Sequence, residues 1–380
     1  MTMITNSQAR SGVSNCDSAW DGSHPTRKLL LVTDAWHPQV NGVVTALTKI
    51  KEHLERDGWQ VVVIHPELFP SMPLPWYPEA RLAVPPWRSL QRMILREAPD
   101  HVHLATEGPL GWSVRRICRR YGWCFTSSYH THFHLYAHAR VRPLLKPVRT
   151  LLRVFHNAAS CTMAATPSLK GELEAGGLGN VALWPLGVDA CAFARNATPR
   201  LPPLPRPVFV FLGRLAREKN TEAFLHLDLP GTKLVIGDGP ERARLQSRFG
   251  PQALFAGYQH GQELVDWLSM SDVMVFPSRT DTFGLVILEA LACGIPVAAH
   301  DVMGPRDIIE SGVDGILGED LREASLACLS LDRSKCRDTA LRYSWEASAA
   351  AFKRNLVPAW SGQGRACDSS VARLEAGIAP

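Results

Sequence analysis

The chain has 380 residues, 46% hydrophobic and 20% charged, a balance that excludes a disordered or fibrous protein and a length that favours two domains over one. Lys and Arg total 41 against 36 Asp and Glu, a surplus of +5, too small to make nucleic acid the expected partner unless the charge is unevenly placed. Nine cysteines at irregular spacing, with no Cys-x-x-Cys, do not form the pattern of a disulfide framework or a zinc knuckle. No apolar run approaches the roughly 18 residues of a membrane span, so the expected setting is a reducing cytoplasm, in solution or at a membrane surface.

In chain order, residues 1–25 begin with Met1 to Ser7, a stretch that resembles the β-galactosidase α-fragment leader of common cloning vectors. It has no basic n-region and no apolar h-region, which excludes a secretory signal, and it is expected to lie outside the fold. Lys28–Asp34 has the short apolar core of a buried parallel strand. Asn41 and Gly42 punctuate a loop, and Val44, Leu47, Ile50 and Leu54 give Val43–Arg56 helical spacing. Strands are expected at Gln60–Ile64, His101–Leu104 and Trp123–Ser127, with a helix over Leu110–Tyr121, which makes a βαβ series. The proline-rich stretch from Pro66 to Pro86 is expected to be a surface excursion.

Between Arg195 and Pro207 proline is too dense for a helix or a central strand, so this is connector. The alternation then restarts with strands expected at Val208–Leu212, Lys233–Gly237, Leu254–Gly257, Val273–Pro277 and Val297–Ala299. Two doubly wound α/β halves place a ligand crevice at the facing carboxyl ends of their strands. The expected limits are a leader over 1–25, an N-terminal domain over 26–186, a C-terminal domain over 187–345, a helix crossing back over 346–360 and a tail over 361–380.

Pro277–Val297 is the most informative stretch. It leaves a strand end, turns through Gly284 and enters a helix expected from about Phe283 to Cys293, whose unpaired N–H groups and positive dipole end make an anion site. Glu289 lies six residues on, roughly 9 Å along the axis, and Asp281 stays in the loop. Two carboxylates then flank a phosphate-binding turn, the layout of a nucleotide diphosphate sugar with hydroxyls at both ends. After the strand ending near Gly213, Arg214 and Lys219 supply a guanidinium fork and a point charge suited to a diphosphate leaving group.

Together with Asn41-Gly42-Val43, Ser128 to Thr131, Pro185 to Phe193 and Gly237 to Pro240, these blocks resemble the retaining glycosyltransferases of family 4 (glycosyltransferase group 1), in the family's order from Arg27 to about Gly318. The resemblance implies an α/β protein of GT-B fold, two Rossmann-like domains facing across a cleft, and catalytic residues His130, Arg214, Lys219, Asp281 and Glu289. Arg214 and Lys219 would hold the donor diphosphate and Glu289 the ribose. Asp281 stands where the family's E-x7-E motif has its first glutamate, one methylene shorter, which bears on the sugar contact. Phe283, Gly284 and Leu285 would offer backbone donors. Gly213, at the strand end, would help bind the donor, Gly42 would admit it where a Cβ would obstruct, and His130 would reach the reacting sugar. Retention by front-face attack, in which the leaving phosphate takes the acceptor's proton, needs no enzymatic nucleophile. With no D-x-D, it implies no metal and no cofactor beyond the nucleotide-sugar substrate.

His130, His132, His134 and His138 could be metal ligands, but with no carboxylate between Gly108 and Gly171 a single donor-contacting histidine is the better account. Glu107 either meets the acceptor or sits at a helix start near the positive dipole end. The same acid-free stretch holds Arg115, Arg116, Arg119 and Arg120 among aromatics such as Trp112 and Trp123, which suits the anionic inner face of a cell membrane. The wording of Thr106–Gly111 and Ser278–Gly284 looks most like bacterial diacylglycerol glycosyltransferases. UDP-glucose, UDP-galactose or UDP-glucuronate would then donate to diacylglycerol, making a membrane glycolipid. The alternative is a GDP-mannose-dependent mannosyltransferase acting on a lipid or polysaccharide precursor. A sugar-nucleotide epimerase or a metal hydrolase is more distant.

Overall fold

In the computed structural model, residues 27–39, 41–74, 77–130 and 145–360 are described. The strands in chain order are β1 (Lys28–Val32), β2 (Gln60–Ile64), β3 (Ser71–Leu74), β4 (Tyr77–Ala83), β5 (His101–Leu104), β6 (Thr126–Tyr129), β7 (Cys161–Ala164), β8 (Val181–Leu183), β9 (Val208–Leu212), β10 (Thr232–Ile236), β11 (Leu254–Gly257), β12 (Val273–Phe276), β13 (Val297–Ala299) and β14 (Gly315–Leu317). They form two parallel six-stranded sheets, ordered β2-β1-β5-β6-β7-β8 and β11-β10-β9-β12-β13-β14, and an antiparallel β3–β4 hairpin. Each sheet is a doubly wound Rossmann-like layer, and the architecture is GT-B.

The central strands are buried on both sides, which is why Leu29–Val32 and Val208–Leu212 are continuous apolar runs. The order reverses between β1 and β5 in the first sheet and between β9 and β12 in the second. Loops leaving adjacent strands in opposite directions part there, opening a crevice at their carboxyl ends.

The chain departs from expectation where local pattern and tertiary packing disagree. The stretch expected to be an excursion carries the β3–β4 hairpin, and an unforeseen helix, Trp87–Glu97, follows it. The strand expected at Trp123–Ser127 lies at Thr126–Tyr129, because Trp123 and Phe125 pack into the core on the way in. A further unforeseen helix, Leu145–His156, leads into β7.

The helix Trp345–Asn355, capped by the Ser344 hydroxyl on the Ala347 N–H, lies against the first sheet. Ser348 accepts a hydrogen bond from Trp184 Nε1 at 3.1 Å, and Phe352 meets His103 edge to face at 4.8 Å. This helix belongs to a single apolar cluster that includes Leu29 and Leu31 of β1 and Val208 and Val210 of β9. The two layers therefore share a core.

Candidate active site

The loops leaving β9 and β12 meet at the switch point of the second sheet. Lys219 Nζ is ion-paired with Asp281 Oδ1, so the two expected donor contacts hold each other. Both are partly buried, and Asp281 Oδ2 is buried without a hydrogen-bond partner among the described residues. Arg214 stands half-buried at the start of the first of these loops. The loops after β9 and β10 touch so closely that a Cβ on Gly237, at φ +140°, would lie 1.9 Å from the Gly213 carbonyl oxygen, which explains the glycine there.

The helix after β12 runs over Leu285–Ala292 and not from Phe283 to Cys293. Gly284 has φ +97°, a left-handed conformation that cannot continue a helix, and serves as its N-cap. Among the described residues, the N–H groups of Phe283, Gly284 and Leu285 make no hydrogen bonds. They are available to an anion. The Phe283 ring is buried. Glu289, one turn on, has no side-chain hydrogen bond among the described residues, and burial pushes its carboxyl up to about 7.

The first sheet supplies the opposite wall. Thr282 Oγ1 donates to the His130 carbonyl at 2.6 Å, and the Ser168 N–H donates to Asp307 Oδ1 at 2.9 Å. Gly42 faces Leu285, but a Cβ there would sit 3.6 Å from Leu285 Cδ1, an ordinary contact. Among the described residues no atom demands the glycine, so any obstruction would be to a bound molecule. The half-buried His130 ring accepts or donates at Nε2 to Ser128 Oγ at 2.8 Å. Burial, with His156 nearby, pushes its imidazole down to about 4, so it is neutral at pH 7. His132, His134 and His138 lie outside the described residues.

Several residues expected at an acceptor or membrane surface point elsewhere. The Glu107 carboxylate is 5% exposed and meets His156 Nε2 at 2.9 Å. The start of the helix Pro109–Tyr121 is capped instead by Asp34, which accepts from the Leu110 N–H at 3.1 Å and from Thr106 Oγ1 at 2.9 Å. Trp123 is buried against Trp360, with ring centroids 4.5 Å apart. Arg115 is buried too: its Nη2 donates to the Val154 carbonyl at 2.8 Å, pinning the helix Leu145–His156. Neither Trp123 nor Arg115 can face a membrane.

Arg116, Arg119 and Arg120 are exposed and, with Trp87 and Trp112, line a hollow of about 640 Å³. Arg116 lies over the Trp87 ring at 5.1 Å. Further exposed arginines are Arg88, Arg92 and Arg96 on Trp87–Glu97, which sequence reasoning missed, and Arg149 and Arg153 on Leu145–His156, which belong to the acid-free stretch. Their spacing of three or four within helices was the available signal. None of these eight forms an ion pair among the described residues. Leu151 and Val154, 52% and 49% exposed, lie beside them.

The family description "Glycosyltransferase Family 4" matches residues 40–190 and "Glycosyl transferases group 1" matches 206–331. The chain belongs to this glycosyltransferase family. It is 34% identical to a GDP-mannose-dependent alpha-mannosyltransferase of Mycobacterium tuberculosis, over 76% of this chain and 83% of that protein. It is 26% identical to an alpha-monoglucosyldiacylglycerol synthase of Streptococcus pneumoniae, over 86% and 83%. Among solved structures, sucrose-phosphate synthase from Thermosynechococcus elongatus superimposes with a TM-score of 0.69 at 20% identity, covering 86% of this chain and 98% of that one, a likeness of fold. Among the described residues, no helix of this glycosyltransferase is long and apolar enough to cross a membrane.

Proposed function

We propose that this glycosyltransferase moves a hexose, with retention and without a metal, from a nucleotide diphosphate sugar to a lipid acceptor met at an anionic membrane surface. The observation that carries this reading is the convergence at one switch point of Lys219, Asp281, Arg214 and a helix start with free N–H groups, with Glu289 one turn on. Arg214, Lys219 and the N–H groups stabilise the charge that grows on the diphosphate as the bond from the anomeric carbon to the phosphate oxygen breaks. The acceptor hydroxyl bonds to that carbon from the same face, and its proton passes to the departing phosphate oxygen. Asp281 and His130 contact the sugar, and Glu289 the ribose. The exposed arginine face, with no Asp or Glu in either Pro109–Tyr121 or Leu145–His156, is the surface that meets anionic lipid.

For the donor, GDP-mannose comes first, on the mycobacterial relative. A UDP-hexose passed to diacylglycerol comes second, on the pneumococcal one. Incubation with labelled GDP- and UDP-sugars and a total lipid extract tests both. A labelled lipid of the donor's anomeric configuration is expected. Inverted product overturns retention, and label found only in water-soluble product overturns the lipid acceptor.

A further inference from the structure

A chain of buried hydrogen bonds ends on His130. Thr126 and Ser128 are two apart on β6 and so point to one face of the sheet, and Thr126 stands opposite His103 on β5. Thr126 Oγ1 lies 3.3 Å from the Val102 carbonyl and 2.9 Å from His103 Nδ1. His103 Nε2 lies 3.1 Å from Ser128 Oγ, which lies 2.8 Å from His130 Nε2 and 3.4 Å from the Ala105 carbonyl. Thr126, His103 and Ser128 are at most 1% exposed, and Trp184 and Phe352 close over the His103 ring.

Each link has hydrogens to place, and the placements are not independent. A carbonyl can only accept, so the Thr126 hydroxyl hydrogen goes to Val102. Thr126 Oγ1 then accepts from His103 Nδ1–H. A neutral imidazole carries one ring hydrogen, which leaves His103 Nε2 as an acceptor that takes the Ser128 hydroxyl hydrogen. Ser128 has no second hydrogen, so its contact with His130 is a hydrogen bond only if His130 Nε2–H donates. In the reversed order His103 Nε2–H donates to Ser128, which forfeits the Thr126–Val102 bond but sends the Ser128 hydrogen to the Ala105 carbonyl, so His130 Nε2–H donates to Ser128 in either order.

We propose that Ser128, its one hydrogen committed to His103 Nε2 or to the Ala105 carbonyl, is a positioning residue that holds His130 as the Nε2–H tautomer with its lone pair on Nδ1. Among the described residues nothing donates to that Nδ1. Resting on the glycosyl-transfer reading, its partner is a hydroxyl of the donor sugar, which donates to it; in the other tautomer an N–H would meet that hydroxyl instead.

The test labels the full-length protein with ring-15N histidine, assigns His130 by comparison with His130→Gln, and reads its tautomer by long-range 15N–1H correlation. Wild type is expected to show Nε2–H. Ser128→Ala removes the acceptor and is expected to release His130 into a mixture of tautomers. Donor KM rises about tenfold, the effect of one lost hydrogen bond. Ser128→Thr, which keeps the hydroxyl, restores both. Thr126→Val is expected to leave His130 as Nε2–H, because the Ser128 hydrogen then turns to the Ala105 carbonyl. Nδ1–H in wild type overturns the assignment, as does an unchanged tautomer in Ser128→Ala or a switch to Nδ1–H in Thr126→Val. The expected tautomers without transfer from any donor would instead overturn the glycosyl-transfer reading.

Discussion

Thr282 gives its hydroxyl hydrogen to the main-chain carbonyl of His130 at 2.6 Å, a bond between residues 152 positions apart. It joins the loop after β12 to the end of β6, so the elements that present Asp281 and His130 are held in one geometry.

Loss of that bond is expected to be felt in turnover. Thr282→Val keeps the shape and removes one hydrogen bond, worth about 0.5–1.5 kcal/mol, so kcat/KM is expected to fall roughly two- to tenfold. Steady-state kinetics with saturating acceptor checks this. An unchanged kcat/KM would show that the two walls hold their geometry without it.

Lys219 is paired with Asp281, and on the proposed reading it must reach the diphosphate when donor binds. Lys219→Ala is expected to lower kcat by about tenfold or more with the fold intact by circular dichroism. Asp281→Glu restores the family's glutamate and is expected to change the preference among donor sugars, read as a ratio of kcat/KM values. If these cations stabilise the leaving diphosphate as proposed, chelator is expected to leave activity in place; loss restored by added metal would overturn that assignment.

Glu289 gives a pH dependence of defined sign. Its carboxyl is raised to about 7 by burial, against about 4.3 in an unfolded chain. The folded protein therefore holds the proton more tightly, and between those values this group makes stability fall as pH rises. Below about 4 its contribution is fully present, and above about 7 it has been lost. In Glu289→Gln the denaturation midpoint should lose this component, by up to one proton's worth of slope. On the proposed reading, in which Glu289 meets the donor ribose, donor binding has the opposite sign, since ribose hydroxyls favour the ionised carboxylate. Affinity measured by calorimetry is expected to rise through pH 7 in wild type and to stay flat in the variant.

The arginine face predicts lipid selectivity. Pelleting with vesicles rich in anionic lipid is expected to carry the protein down, and neutral vesicles to leave it in solution. Replacing Arg116, Arg119 and Arg120 by Gln should weaken the anionic binding and its salt sensitivity, at about 1 kcal/mol per cation near the surface. Arg115→Gln is expected instead to lower stability, because Arg115 holds the Val154 carbonyl inside the domain. Equal binding to both vesicle types would refute the electrostatic contact.

Much of this was legible along the chain. A parallel strand buried on both faces is written as an unbroken apolar run, so β1, β2, β9 and β12 could be placed to within a residue or two. Loop residues after β9 and β12 were expected by type and spacing alone to form an anion site, and the ion pair of Lys219 with Asp281 shows that these loops meet. The small surplus of +5 proved to be an average that concealed a one-signed face. Arg115 and Trp123 were misplaced on that face, because an arginine looks the same in sequence whether its guanidinium meets solvent or a buried carbonyl, and a tryptophan whether or not another ring covers it.

Sequence by itself determined the two α/β halves, the family and the residue types at the donor crevice, since these follow from local hydrophobic period and short motifs. Only the tertiary structure decided which side chains meet. The ion pair of Lys219 with Asp281 depends on β9 and β12 lying side by side, and the chain from Thr126 to His130 depends on the register of β5 against β6. Strand order and register are set by the burial of whole sheet faces, a property of the folded layers that no single stretch of the chain contains.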